Sequence, residues 1–222
     1  MKYIVKILKI EQVTHDVKRF VVEKPQNYKF IPGQATYVSI NKKGWKEEER
    51  PFTFTSLNEN PILEFTIKKY EERKGVTNEI HKLNPGDELI IQEPFGTINY
   101  KEPGIFIAGG AGITPFIAIF RQLREENRLQ GNKLIFSNKK QEDIILEKEL
   151  KEMFRDNLIL TLTEEGKKEY ESKKIDETFL KNKIKDFKQN FYICGPPGMV
   201  EDLKKILKKL GADIQQIVFE GK

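Results

Sequence analysis

The chain has 222 residues, 38% hydrophobic and 33% charged, with a net charge of +5 and one cysteine. That length suits one large core or two small ones. Cys194 alone excludes an intrachain disulfide and any zinc or iron–sulfur centre ligated by the chain's own cysteines, and a reducing, cytoplasmic setting is expected.

Lys and Glu interleave through stretches such as KKGWKEEER. This marks solvated surface rather than a nucleic-acid footprint, although a mildly basic face would attract an acidic protein partner. The opening MKYIVKILKI is broken by Lys2, Lys6 and Lys9 and is not expected to be a signal peptide. Up to residue 100 the segments KYIVKILKIEQV, VKRFVVEK, QATYVSI, PFTFTS, ILEFTIKKY and DELIIQE are rich in β-branched and aromatic residues. Turn signals (IPGQ, NKKG, NENP, NPGD) separate them, and one short helix, TNEIHKL, interrupts them; the spacing predicts an antiparallel barrel. After Pro103 strands and helices alternate: IFIAGG, then the helix ITPFIAIFRQLREEN, KLIFSN, the helix EDIILEKELKEMF, LILTLT, a helix near DETFLKNKIKDF, FYICG, the helix MVEDLKKILKKLG and QQIVFE. Alternation of this kind implies a parallel sheet covered on both faces. The expected fold is two-domain, β followed by α/β: an antiparallel Greek-key β-barrel over 1–100, then a doubly wound parallel sheet over 101–222.

The stretch GIFIAGGAGITPFIAIF (104–120) contains no charged residue. A membrane-spanning helix needs about 20 apolar residues, and here glycines and Pro115 interrupt the run. It is read as a strand (Ile105–Ala108), a tight turn (Gly109–Gly112) and a helix with Pro115 in its first turn, where a missing N–H does no harm. Such a turn lets a phosphate approach the backbone, although packing alone also produces it. Pro115 stands where G-x-G-x-x-G has its third glycine.

Three motifs, RPFTFTS (50–56), GGAGITP (109–115) and CGPPGM (194–199), resemble in order and spacing those of the ferredoxin–NADP reductase superfamily of flavoproteins, across essentially the whole chain. IKKY (67–70), KGVTN (74–78) and FSNKKQEDIILEKEL (136–150) are most similar to cytochrome b5 reductase and nitrate reductase flavin modules; flavodoxin reductase-like proteins are also close. The resemblance implies a barrel that binds FAD, or less readily FMN, and an α/β domain that binds NADH or NADPH. It places Arg50 on a flavin phosphate, Pro51 and Phe52 beside the ring (Phe52 replacing the usual tyrosine and losing its hydroxyl), and the Thr53 hydroxyl near flavin N5. Ile67, Lys68 and Tyr70 flank the cofactor, with Tyr70 either stacking on adenine or simply packing. Gly75, Val76 and Thr77 take the diphosphate, and Thr77 also suits a helix N-cap.

In the second domain the resemblance assigns Gly110, Gly112, Thr114, Pro115, Ser137, Asn138, Gly195, Pro196 and Met199 to the nicotinamide dinucleotide. Cys194 is placed near the nicotinamide C4; read by itself it is a small core residue. Glu220 matches an acid held near both rings, or is an exposed terminal charge. Only Gly221 and Lys222 follow it, so the aromatic lid of several relatives is expected to be absent or supplied otherwise.

The implied activity is an FAD-dependent NAD(P)H oxidoreductase, with Thr53, Cys194 and Glu220 as its catalytic group. A hydride passes from nicotinamide to flavin N5, then single electrons pass to a flavodoxin, ferredoxin, haem protein or oxygenase component. The alternative is a non-catalytic flavin- or nucleotide-binding redox sensor or regulatory subunit. Lys139 and Lys140 suit the 2′-phosphate of NADP, whereas resemblance to NADH-using reductases favours NADH; the two nearly balance, with a slight lean to NADH. No metal is expected, because His15 and His81 show no ligand spacing, and no G-x-S-x-G occurs. Trp45 is a docking candidate or an ordinary hairpin tip. Nucleic acid and membrane insertion are not expected, and the chain is expected to be a monomer or weak dimer.

Overall fold

The computed structural model describes residues 1–96 and 98–219. Six strands form the first sheet: Lys2–Thr14 (β1), Val17–Glu23 (β2), Ala35–Ile40 (β3), Arg50–Thr53 (β4), Ile62–Lys68 (β5) and Glu88–Gln92 (β6). They pair antiparallel in the order β4-β3-β6-β1-β2-β5. A bridge between Phe54 and Phe65 brings the two outer strands together and nearly closes a barrel. The links β2–β3 and β5–β6 join strands that are not neighbours, which is the Greek-key crossover. Alternation along the strands turns Val5 and Ile7 of β1, and Phe20 and Val22 of β2, inward. Phe54 stacks on Phe30 at 4.1 Å and leans on Phe65 at 5.3 Å in the barrel core. A short helix, Val76–Ile80 (α1), plugs the core with Val76 and Ile80.

The second sheet is parallel, in the order β11-β10-β7-β8-β9, with β7 Gly104–Gly109, β8 Lys133–Asn138, β9 Leu158–Leu162, β10 Asn190–Cys194 and β11 Ile217–Phe219. Helices Thr114–Glu125 (α2), Glu147–Phe154 (α3), Glu177–Lys183 (α4) and Pro197–Lys209 (α5) cover it. Strand β7 is buried at every residue, as a central strand between two helical layers must be. Phe106 and Ala108 pack towards α2 and α3; Ile105 and Ile107 pack towards α4 and α5. The uncharged run is therefore core and turn. Among the described residues no helix is long and apolar enough to cross a membrane. Val17 and Ile98, on the barrel side, share one cluster with Phe116 and Phe120 of α2, so the sheet and barrel meet across that helix.

Two local expectations fail. The helix expected from Glu142 begins only at Glu147, because Ile144 and Ile145 are drawn into the core and Leu146 takes a left-handed φ of 54°. Helix α1 is capped by Gly75 without a side-chain hydrogen bond, so Thr77 lies inside its first turn and is not the N-cap.

Candidate functional site

The parallel sheet reverses its strand order between β7 and β10. In an open α/β sheet, that switch point leaves a crevice at the carboxyl ends of the two strands. Here both ends carry glycine-rich turns, and the two turns touch. A Cβ on Gly109 would lie 2.6 Å from Met199 Sδ; one on Gly112 would lie 2.6 Å from Gly195 Cα and closer still to the Cys194 carbonyl. Any larger residue would drive the turns apart. Gly110 differs: its φ is +51°, and a Cβ there would meet nothing within 4 Å. Gly112 is thus a packing glycine, and the open backbone that a phosphate needs lies at Gly110.

The helices after both turns start cleanly. Pro115 is buried in the first turn of α2, and the Thr114 hydroxyl donates to the Ala111 carbonyl at 3.0 Å. Pro197 opens α5 after an extended Pro196. Cys194 is 4% exposed and belongs to the core cluster that also holds Phe106 and Tyr192. At the end of β8, Asn138 is 5% exposed, and neither atom of its amide group has a hydrogen-bond partner. Ser137, beside it, is half-buried. Lys139 pairs with Glu164 at 3.0 Å and Lys140 lies 3.7 Å from Glu142.

On the barrel, β4 pairs with β3 so that Thr53 faces Ala35, Pro51 faces Tyr37 and Arg50 faces Val38. Phe52 lies on the opposite face from Thr53 and packs partly against the barrel core. The Thr53 hydroxyl is buried without a partner. Arg50 is exposed, with one guanidinium N–H donated to the Glu49 carbonyl at 2.6 Å and Glu48 3.9 Å away.

Tyr37 and Phe95 were missed by sequence reasoning. Their rings stack at 4.6 Å, half-exposed, on the face that carries Pro51 and Thr53. No signal in the sequence joins them: strand pairing brings Ala35 against both Thr53 and Phe95, and with it the two rings together. Trp45 is half-buried, packed against the barrel core.

Around α1, Ile67 and Val76 are core side chains, leaving only their backbone available to a ligand. Lys68 is bonded to Asp16 at 2.7 Å, and Tyr70 is exposed just before a 3-10 turn. The Asn78 amide oxygen is buried without a partner, while its nitrogen donates to the Glu71 carbonyl at 3.2 Å. Glu220 lies outside the described residues. The fold also gathers a group that spacing did not suggest. Ligand atoms of His15, Asp16 and Asp143 fall within 4.8 Å of one another, with Lys68 supplying a cation to Asp16.

The oxidoreductase FAD-binding domain family matches residues 4–100, and the oxidoreductase NAD-binding domain family matches residues 106–205. The chain is 30% identical to NADH-cytochrome b5 reductase 2 of Coccidioides immitis (strain RS), over 96% of this chain and 75% of that one. It is 26% identical to the reductase component of propane 2-monooxygenase of Rhodococcus jostii (strain RHA1), over 97% of this chain. It spans 62% of that relative's length. In fold it is similar to a ferredoxin NADP+ reductase from Neisseria gonorrhoeae with bound FAD and NADP, at a TM-score of 0.84 and 22% identity, covering 99% and 98% of the two chains.

Proposed function

Because this chain belongs to the ferredoxin–NADP reductase superfamily, we propose that it is an FAD-dependent NAD(P)H reductase that delivers electrons to a separate redox protein. One observation carries the reading. Among the described residues, buried side-chain atoms without partners occur at Ser39, Thr53, Asn78 and Asn138. The last three fall in RPFTFTS, KGVTN and FSNK, the segments expected to meet the flavin ring, the flavin diphosphate and the nicotinamide nucleotide. A buried polar group without a partner costs about 1–3 kcal/mol, and a cofactor bonded there would offset that cost. These residues fit the group.

Residues 1–100 would hold FAD and residues 101–222 the nicotinamide nucleotide. Bound FAD supplies the chemistry, accepting two electrons as a hydride and releasing them singly. The protein's own part is binding and alignment. Arg50 offers a planar fork to phosphate, Thr53 a hydroxyl to the ring, and the Gly110 backbone an open approach for the dinucleotide. Cys194, packed beneath the turn, holds the CGPP loop against Gly112. Lys139 and Lys140 are already engaged by Glu164 and Glu142, so a 2′-phosphate would have to displace carboxylates. NADH is the proposed donor. The proposed acceptor is a flavodoxin, ferredoxin, haem protein or oxygenase component, in keeping with relatives named as a cytochrome b5 reductase and a monooxygenase reductase component.

The test is direct. Purified protein should be yellow or become so with FAD, and anaerobic NADH should bleach it faster than NADPH. Protein that takes up neither FAD nor FMN overturns the reading, and bound flavin that neither nucleotide reduces points to a sensor instead. Arg50→Ala should weaken FAD binding about 10- to 100-fold, the worth of a charge-assisted hydrogen bond, measured by fluorescence titration.

A further inference from the structure

An ion-pair cluster that no single motif contains crosses from the barrel to the α/β domain. At its centre is Arg121, on α2. One terminal guanidinium nitrogen donates to the Thr55 carbonyl at 2.6 Å and to Glu64 Oε1 at 2.7 Å; the remaining fork grips both oxygens of Glu149 at 2.7 and 2.9 Å. Thr55 and Glu64 belong to the barrel, and Glu149 to α3. Glu64 is 9% exposed and also accepts from the Thr55 hydroxyl at 2.8 Å, with Arg19 3.8 Å from its other oxygen. Burial alone would lower the Arg121 pKa; Glu149 and Glu64 outweigh it and raise it, so the guanidinium stays charged.

The position of this cluster matters more than its strength. Thr55 is two residues beyond Thr53. Arg121 lies seven residues after Thr114, which is about 10 Å along the helix and nearly two full turns, so both residues stand on one side of it. A rigid helix that begins at the nucleotide turn is therefore bolted to the strand that ends at the expected flavin contact. A lysine would replace this only in part, since its compact ammonium lacks the planar fork that grips both oxygens of Glu149.

We propose that Arg121 is a positioning residue whose guanidinium locks α2 to the barrel at Thr55 and Glu64, and so sets the alignment between the Gly110–Thr114 turn and the Arg50–Thr53 strand. What is aligned rests on the reductase reading; the lock itself does not. Hydride transfer demands near-contact geometry, and a misplacement of about 1 Å costs on the order of 100-fold in rate.

Arg121→Met, Arg121→Lys and Glu64→Gln test this in the full chain with two readouts. One is the distance distribution between spin-labelled non-natural residues at the exposed positions 43 and 205. The other is anaerobic single-turnover flavin reduction by NADH, with NADH affinity measured separately. Arg121→Met should broaden the distance distribution and slow reduction about 10- to 100-fold, with FAD and NADH affinities held within about threefold. Arg121→Lys should rescue part of the rate, and Glu64→Gln should repeat the Met pattern more weakly. Unchanged distances in both Arg121→Met and Glu64→Gln, or a loss confined to NADH affinity, overturns the proposal. If Arg121→Met does not fold, Arg121→Lys and Glu64→Gln decide it by the same criteria. A wild-type chain that takes up no flavin defeats the reductase reading, while the distance readout still decides the lock.

Discussion

Thr53 sets an unsatisfied hydroxyl inside the protein, and that is a cost to the unliganded fold. Thr53→Val keeps the shape and removes the orphan, so the flavin-free protein should gain about 1 kcal/mol in urea denaturation. The same change should slow flavin reduction by NADH, since the hydroxyl expected at N5 is gone. Gly112 is a different kind of residue. Gly112→Ala places a methyl against Cys194 and Gly195, where overpacking of this kind costs about 1–3 kcal/mol. The loss should appear as a lower denaturation midpoint and as weaker NADH binding, because the two turns separate. Sequence alone marks both Gly110 and Gly112 as ligand glycines. Only the fold distinguishes Gly110, open to a ligand, from Gly112, closed against its neighbour.

Helix α1 is short and depends on what it leans on. At its end His81 is 8% exposed, packs edge-on against Phe20 and donates its Nε2 hydrogen to the Ile67 carbonyl at 2.8 Å. Burial lowers its pKa, against the smaller opposing effect of that bond. The folded protein therefore keeps His81 neutral at a pH where the unfolded chain, titrating near about 6.5, is protonated. The stability this contributes is complete above pH ~6.5 and is lost as pH falls through 6.5 towards the folded value. Urea midpoints should accordingly drop between about pH 7.5 and 5.5, and His81→Gln should flatten that part of the profile. At α3 the local pattern misled: EDIILEKELKEMF reads as one helix, yet the aliphatic triplet Ile144–Leu146 is claimed by the core before the helix begins.

The barrel and the α/β domain are joined by more than a linker. The buried hydroxyl of Tyr192, on β10, accepts from the Lys101 and Glu102 backbone amides at 3.0 and 3.2 Å, which pins the crossing segment to the sheet. Arg121 and the shared apolar cluster add two further ties. One thermal transition is expected for the whole chain, followed by circular dichroism. FAD at about a hundred times its dissociation constant should stabilise the folded state by about 2.7 kcal/mol, raising the midpoint by roughly 5–11 °C for a chain of this size. A rise of that order confined to one of two resolved transitions would mean that the ties do not hold the domains together.

The sequence by itself determined the two architectures and the order of the elements, because period-two and βα-alternating patterns are local and survive without tertiary information. It also placed Arg50, Thr53, Asn138 and Cys194 in motif segments and put Pro115 in the first turn of a helix. The tertiary structure alone decided which glycine is open, which face Phe52 takes, that Tyr37 stacks on Phe95, and that Arg121 reaches Glu64. Each of these depends on strand register or on contacts between residues tens of positions apart, which the spacing of one chain does not encode.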